Sequence, residues 1–237
     1  MKRRSLLIGL GAAGTLASTG ALTQTQQGYS YDRPVFHNRP LKPPASGRIN
    51  VAFMISQGAN VIDLAGPWEV FQDVHFQGRM PFRLYTVGPD DNAIIATGGL
   101  KIVPNYTIDN APKPHIVSVG AQRGGAGLTK WLQAVSQQSS LTMSICTGAF
   151  QLGRAGLLDG LQATTHHDFF DDFENDNPNV TLLRGPRFVE SEKIATAGGL
   201  TSGIDLALRT VTRYFDEETA MRTARYMEYT STGWLET

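Results

Sequence analysis

The sequence predicts an α/β fold: a three-layer sandwich with a mostly parallel sheet and helices on both faces. Three observations predict it. Continuous apolar runs such as INVAFMI (49–55) read as strands buried on both faces. These runs alternate with segments of helical periodicity, about 10–15 residues each. Glycine-rich turns, GGAG and GG among them, stand at the junctions.

In chain order, the loop SQGANVID follows the first strand and ends at Asp63. LAGPWEVFQDV then reads as a helix with Pro67 in its first turn, where a missing N–H costs nothing. Trp68, Val70, Phe71 and Val74 have the spacing of a helix packed on a sheet. FRLYTVG (82–88) is a second strand. IIATGGLKIVP reads as a hairpin broken at Gly98 and Gly99. HIVSVG is a third core strand, and it runs into the flexible loop AQRGGAG. LTKWLQAVSQQ is a helix, and LTMSI is a fourth core strand ending at Cys146.

After Cys146, the residues Ala149, Leu152, Gly153 and Leu157 take helical spacing, so Thr147 and Gly148 open a helix. Asp159–Gly160 makes a turn. Val180–Leu183 and Phe188–Glu190 form a short strand-like pair. Ile194–Ala197 is a strand, Gly198–Gly199 a tight turn, and Thr201 or Ser202 caps the next helix. EETAMRTARYMEY closes the domain as an amphipathic helix, with no helix-turn-helix segment after it.

The first 24 residues have a basic start, an apolar middle and small residues, the layout of an export signal. Arg3 and Arg4 followed by Ser5, Leu6 and Leu7 resemble the twin-arginine type. Cleavage is expected near residues 22–26, giving a periplasmic or extracellular protein. The apolar stretch is short for a membrane span, and no cysteine follows it, so no stable membrane anchor is expected. Residues 25–47 carry prolines and little periodicity and read as an extended arm that either hangs free or drapes over the domain. Residues 48–237 form one domain, since a chain of 237 residues holds one sizeable core. Removing Lys2, Arg3 and Arg4 leaves 18 basic against 21 acidic residues, a net −3, with no basic face for nucleic acid. One cysteine excludes an intramolecular disulfide and a cysteine-rich zinc site.

That cysteine carries the sharpest signal. A thiol at a strand-to-helix turn meets the free N–H groups and positive end of the helix, which favour its thiolate. N–H groups just after it can receive an oxyanion, and Gly120–Ala121, at the end of a neighbouring strand, is the natural second donor. Alanine donates there only if its backbone needs no positive φ. Local pattern leaves open whether Cys146 is a nucleophile or an inert buried residue.

SICTGAFQLGRAGLLDGLQATTHH, together with VIDLAGPWEVF and TAGGLTSGIDLAL, resembles the PfpI/ThiJ superfamily over roughly residues 48–232. Within it the motifs are similar to those of isonitrile hydratases and of the ligand-binding halves of AraC-type regulators. The resemblance implies a flavodoxin-like, class I glutamine-amidotransferase-like fold and an elbow nucleophile, Cys146. It places Asp63 beside the thiol as general acid or base, where many relatives have Glu. Thr147, matching the hydratase residue after the nucleophile, holds substrate through its N–H and hydroxyl. Proteolytic relatives carry His at that position, so a peptidase dyad is not expected. His166 matches a histidine that approaches the thiol in glyoxalase-like relatives, and His167 receives no catalytic role. No metal is expected at His166, His167 and Asp168, because neighbouring side chains on one segment rarely converge. No organic cofactor is implied.

The chemistry expected is hydration of a small-molecule isonitrile to an N-substituted formamide. The alternatives are a glyoxalase-like or carbonyl-stress hydrolase on the same residues, or a ligand-binding or oxidation-sensing domain without turnover. Family members commonly pair, so a homodimer is expected.

Overall fold

The computed structural model describes residues 33–236. The predicted export signal and the first part of the arm lie outside them. In chain order the elements are β1 (Ile49–Met54), α1 (Val61–Gln72), β2 (Phe82–Gly88), β3 (Ile94–Ile95), β4 (Lys101–Ile102), β5 (Tyr106–Thr107) and β6 (Ile116–Val119). Then follow α2 (Ala126–Gln138), β7 (Leu141–Ile145), α3 (Gly148–Arg154), β8 (Gln162–Ala163), α4 (Phe170–Asp176) and β9 (Thr181–Leu182). β10 (Phe188–Glu190), β11 (Ile194–Ala197), α5 (Ser202–Tyr214) and α6 (Glu217–Tyr226) complete the chain.

Seven strands form one sheet in the order β10-β11-β7-β6-β1-β2-β5. Every pairing in it is parallel except β10 with β11. The four predicted core strands lie side by side because each is buried on both faces, although β7 presents Thr142 and Ser144 on one of them. Val51 and Phe53 of β1 face α1, α5 and α6, where Phe71, Leu206 and Ala220 belong to the same core. Met54, Val117 and Val119 face α2, α3 and α4 through Leu132, Leu152 and Phe173. Each such buried side chain contributes roughly 1.5–3 kcal/mol relative to exposure. Among the described residues no helix is long and apolar enough to cross a membrane.

The structure corrects the sequence reading in several places. α1 begins at Val61, capped by Asn60, whose side chain accepts from the Ile62 N–H. Pro67 therefore lies inside the helix, not in its first turn, and Asp63 lies in the first turn rather than at the end of a loop. Residues 180–183 and 188–190 do not pair with each other. β9 joins β8 in parallel, and β10 joins β11. Two- and three-residue strands take whichever edge the fold offers, so their partners are not written locally. Thr201 occupies the N-cap position of α5 but makes no side-chain capping bond. β5, which the sequence reading missed, extends the sheet beyond β2.

The arm drapes. Val35 bridges Val189 on β10, with the Glu190 N–H donating to the Val35 carbonyl at 2.8 Å. Phe36 packs edge-on to Phe188 and beneath the Arg209 guanidinium. The Leu41 N–H donates to the Arg213 carbonyl at the end of α5.

Candidate active site

Cys146 sits between β7 and α3 with φ +58°, a left-handed conformation that a residue with a Cβ seldom adopts. Such a residue costs on the order of 1–3 kcal/mol, so its surroundings must hold it. They do so from both sides. The Cys146 N–H donates to the carbonyls of Gly198 (2.9 Å) and Ala197 (3.2 Å). The Thr165 hydroxyl donates to the Cys146 carbonyl at 2.9 Å. This turn is the sharp elbow that the apolar run and the helical spacing predict. Gly148 lets α3 leave it: a Cβ there would lie 2.0 Å from the Val119 carbonyl oxygen.

The thiol is met by the N–H groups of Thr147 and Leu200 and by the Thr147 hydroxyl, all of which favour its ionised form. Burial outweighs them. Cys146 is only 5% exposed, and with the charge of Asp63 nearby its pKa is pushed up to about 11. The expectation of a helix-stabilised thiolate is thus reversed. A seven-residue helix offers a small dipole, and desolvation dominates.

Asp63 is 1% exposed. Burial raises its pKa to about 6, against the hydrogen bonds from Ala121 and Cys146, which lower it. The Ala121 N–H donates to Asp63 Oδ2 at 2.9 Å. Cys146 also acts on the carboxyl, while Oδ1 has no protein partner of ordinary hydrogen-bond geometry. Gly120 permits the approach, since a Cβ there would come within 2.7 Å of Asp63 Cβ. Ala121 is not among the positive-φ residues. Its N–H is therefore available as a donor, but it is directed to Asp63 rather than to an oxyanion. The fold thus brings Cys146, Asp63, Thr147, Gly120 and Ala121 together.

His166 stands one residue from Thr165 and packs against Gly199, whose added Cβ would lie 2.4 Å from its Cδ2. Its Nδ1 accepts from the Asp168 N–H at 3.2 Å, and no hydrogen bond joins it to Cys146. Burial and the neighbouring His167 hold its pKa below the usual histidine value, so it is neutral at pH 7. His166, His167 and Asp168 do converge, with one donor atom from each within 4.8 Å of the others, contrary to expectation. The two imidazoles are stacked, 22° from parallel and 4.4 Å apart. The Nδ1 lone pair of His166 is taken by the Asp168 N–H, which leaves only its Nε2 for a ligand.

Thr165 and Leu200 were not singled out by the sequence reading. Thr165 lies in the TTHH stretch. Leu200, at φ +51°, follows Gly198–Gly199 in a turn whose left-handed third residue carries no local signal.

The DJ-1/PfpI family profile matches residues 49–213. Isonitrile hydratase of Pseudomonas putida is 28% identical over 191 residues, covering 76% of this chain and 78% of that protein. The HTH-type transcriptional regulator GbdR of Pseudomonas aeruginosa is 28% identical over 178 residues, 71% of this chain but 47% of the regulator. A crystal structure of a ThiJ/PfpI family protein from Pseudomonas syringae superposes with a TM-score of 0.69 at 24% identity, covering 78% of this chain and 76% of that one. Sheet order, elbow and sequence profile agree, and the chain belongs to the DJ-1/PfpI family.

Proposed function

We propose that the chain is a cysteine-dependent hydratase that adds water to an isonitrile and releases an N-substituted formamide. The Cys146 sulfur bonds the terminal carbon while its proton passes through Asp63 to that same carbon, leaving a thioimidate. Water then adds across the C=N bond, its oxygen to carbon and its proton, relayed by Asp63, to nitrogen. The C–S bond breaks, the formamide carbonyl forms, and the hydroxyl proton returns to sulfur.

The observation that carries this reading is the use of the Ala121 N–H on Asp63. Attack on a carbonyl builds an oxyanion that needs such donors. Attack on an isonitrile carbon builds a carbanion that needs a proton. A carboxyl with a pKa of about 6 beside a neutral thiol supplies one. The Pseudomonas putida relative supports the same substrate class.

An alkyl isonitrile offered to the protein lacking residues 1–24 is expected to give the formamide, followed by proton NMR. Absence of turnover, or turnover that survives Cys146→Ala, overturns the reading. A second reading, ligand binding without turnover, is favoured by the thiol's raised pKa, which makes it a poor nucleophile, and by the regulator relatives; the same raised pKa speaks against oxidation sensing, which needs a thiolate. Isonitrile binding with no formamide would select it. Export through the twin-arginine route belongs to the same proposal. Replacing Arg3 and Arg4 by Lys is expected to retain the precursor in the cytoplasm, read by fractionation.

A further inference from the structure

Three buried polar atoms without a protein hydrogen-bond partner belong to residues lining one place: Asp63 Oδ1, Ser118 Oγ and Gln122 Oε1. Asp63, Ser118 and Gln122 are among the residues that line a cavity of ≈ 10 Å³ beside Gly120 and beneath α1. Asp63 and Ser118 are each 1% exposed. Ser118 stands between Val117 and Val119, which face the opposite core, so its side chain is directed towards α1. Gln122 is anchored by its Nε2, which donates to the Met54 carbonyl at 2.8 Å, and its main-chain carbonyl accepts from Gln151 Nε2 at 2.9 Å.

An unmet buried polar group costs about 1–3 kcal/mol, so three around one space are strong evidence of an occupant. The volume is about that of one water sphere, and a buried water has roughly three polar partners. The chemistry also matches. A carboxylate oxygen and an amide oxygen accept, and a serine hydroxyl donates.

We propose that one ordered water fills this cavity, donating to Asp63 Oδ1 and Gln122 Oε1 and accepting from the Ser118 hydroxyl, and that Ser118 and Gln122 are positioning residues for Asp63. The water gives the carboxylate the hydrogen bond that Oδ1 otherwise lacks and forms a proton-conducting link on that side of the carboxyl. Its mechanistic role rests on the reading of Asp63 as the proton relay. Its presence does not.

The groups able to confuse a titration are few. Cys146 faces Asp63 from the elbow. β1 and β6 carry no charged residue. Arg83 of β2 bonds the Tyr106 hydroxyl. On α5, Asp205 pairs with Arg187, while Arg209 and Arg213 pair with Glu190. Glu69 lies six residues further along α1, and Arg123 lies beside Gly58.

The test is a ¹³C-carboxyl NMR titration of Asp63 in the intact domain, for the parent, Ser118→Val, Ser118→Ala and Gln122→Met. Valine fills the cavity and expels the water, so the Asp63 midpoint is expected to rise by roughly one unit, and by less in the other two. Gln122→Met, at a half-buried position, keeps the test alive if the β6 variants fail to fold. An unmoved midpoint in folded variants overturns the proposal, as does a high-resolution crystal structure with no water density there. A shifted midpoint with no isonitrile turnover in the parent supports the water and sinks the hydratase. Turnover with an unmoved midpoint does the reverse.

Discussion

At the scale of single residues, the site couples two groups that burial pushes towards neutrality. Asp63 has a folded pKa of about 6 against an ordinary 3.8. A raised pKa means the folded state holds the proton more tightly. The associated stability is fully present below pH 4 and is lost as pH rises through 6. Asp63→Asn removes that loss. It is expected to stabilise the domain by up to about 3 kcal/mol at pH 8 and by almost nothing at pH 4, measured by urea unfolding at the two pH values. The same variant removes the charge that raises the thiol, so iodoacetamide should alkylate Cys146 faster at pH 8 while hydration is lost. In the parent, an activity that depends on the Asp63 proton is expected to change with a midpoint near pH 6. The identities of Cys146, Thr147 and Asp63 were legible in the sequence through their motifs. Their protonation was not, because a pKa depends on how much water the fold removes.

At the scale of elements, α3 and β6 approach as closely as backbone allows. Gly148→Ala would set a methyl 2.0 Å from the Val119 carbonyl oxygen, and neither partner is a movable side-chain end. It is expected to destabilise the domain by about 2 kcal/mol or more and to disturb the elbow, with lower Tm and lost thiol protection from alkylation. Long elements with strong periodicity, β1, β2, β7 and α5 among them, were legible as type and approximate place. α1 was misplaced at its start because Pro67 looks like a first-turn residue. In the structure the preceding turn is capped by Asn60, and Pro67 lacks only the N–H that would have met the Asp63 carbonyl. The β8 and β9 partnership was illegible, since two residues carry no register of their own.

At the scale of the whole molecule, the arm is fastened by a buried charge cluster. Glu190, with no exposed side-chain area, accepts from Arg209 at 2.9 Å, Arg213 at 2.8 Å and the His37 N–H at 3.0 Å. Arg209 also reaches the Asn38 side chain at 2.8 Å, and Arg213 the Arg39 carbonyl at 3.2 Å. Glu190→Gln leaves two buried guanidinium groups without their carboxylate. It is expected to cost about 3–5 kcal/mol and to expose residues 33–42 to limited proteolysis before the domain itself unfolds. The cluster lies towards the amino ends of the parallel strands, since Glu190 pairs with Ala195 near the start of β11. Residues 37–41 of the arm thus lie away from the elbow, whereas Val35, whose N–H donates to the Phe188 carbonyl, lies at the start of β10, level with Ala197 and Ile145 beside it.

The sequence by itself determined the layered α/β class, the order of the main strands and helices, and the elbow that carries Cys146. All three are local, expressed in apolar periods of two and 3.6 residues and in the glycines that interrupt them. Only the tertiary structure decided that Thr165, Ala197 and Gly198 hold the elbow, that Leu200 meets the thiol, and that Ala121 donates to Asp63. It alone decided that the thiol is kept neutral, that a cavity stands between Asp63 and Ser118, and that the arm is bound. Each of these joins segments far apart in the chain, and their energies come from burial and exact approach, which no local pattern records.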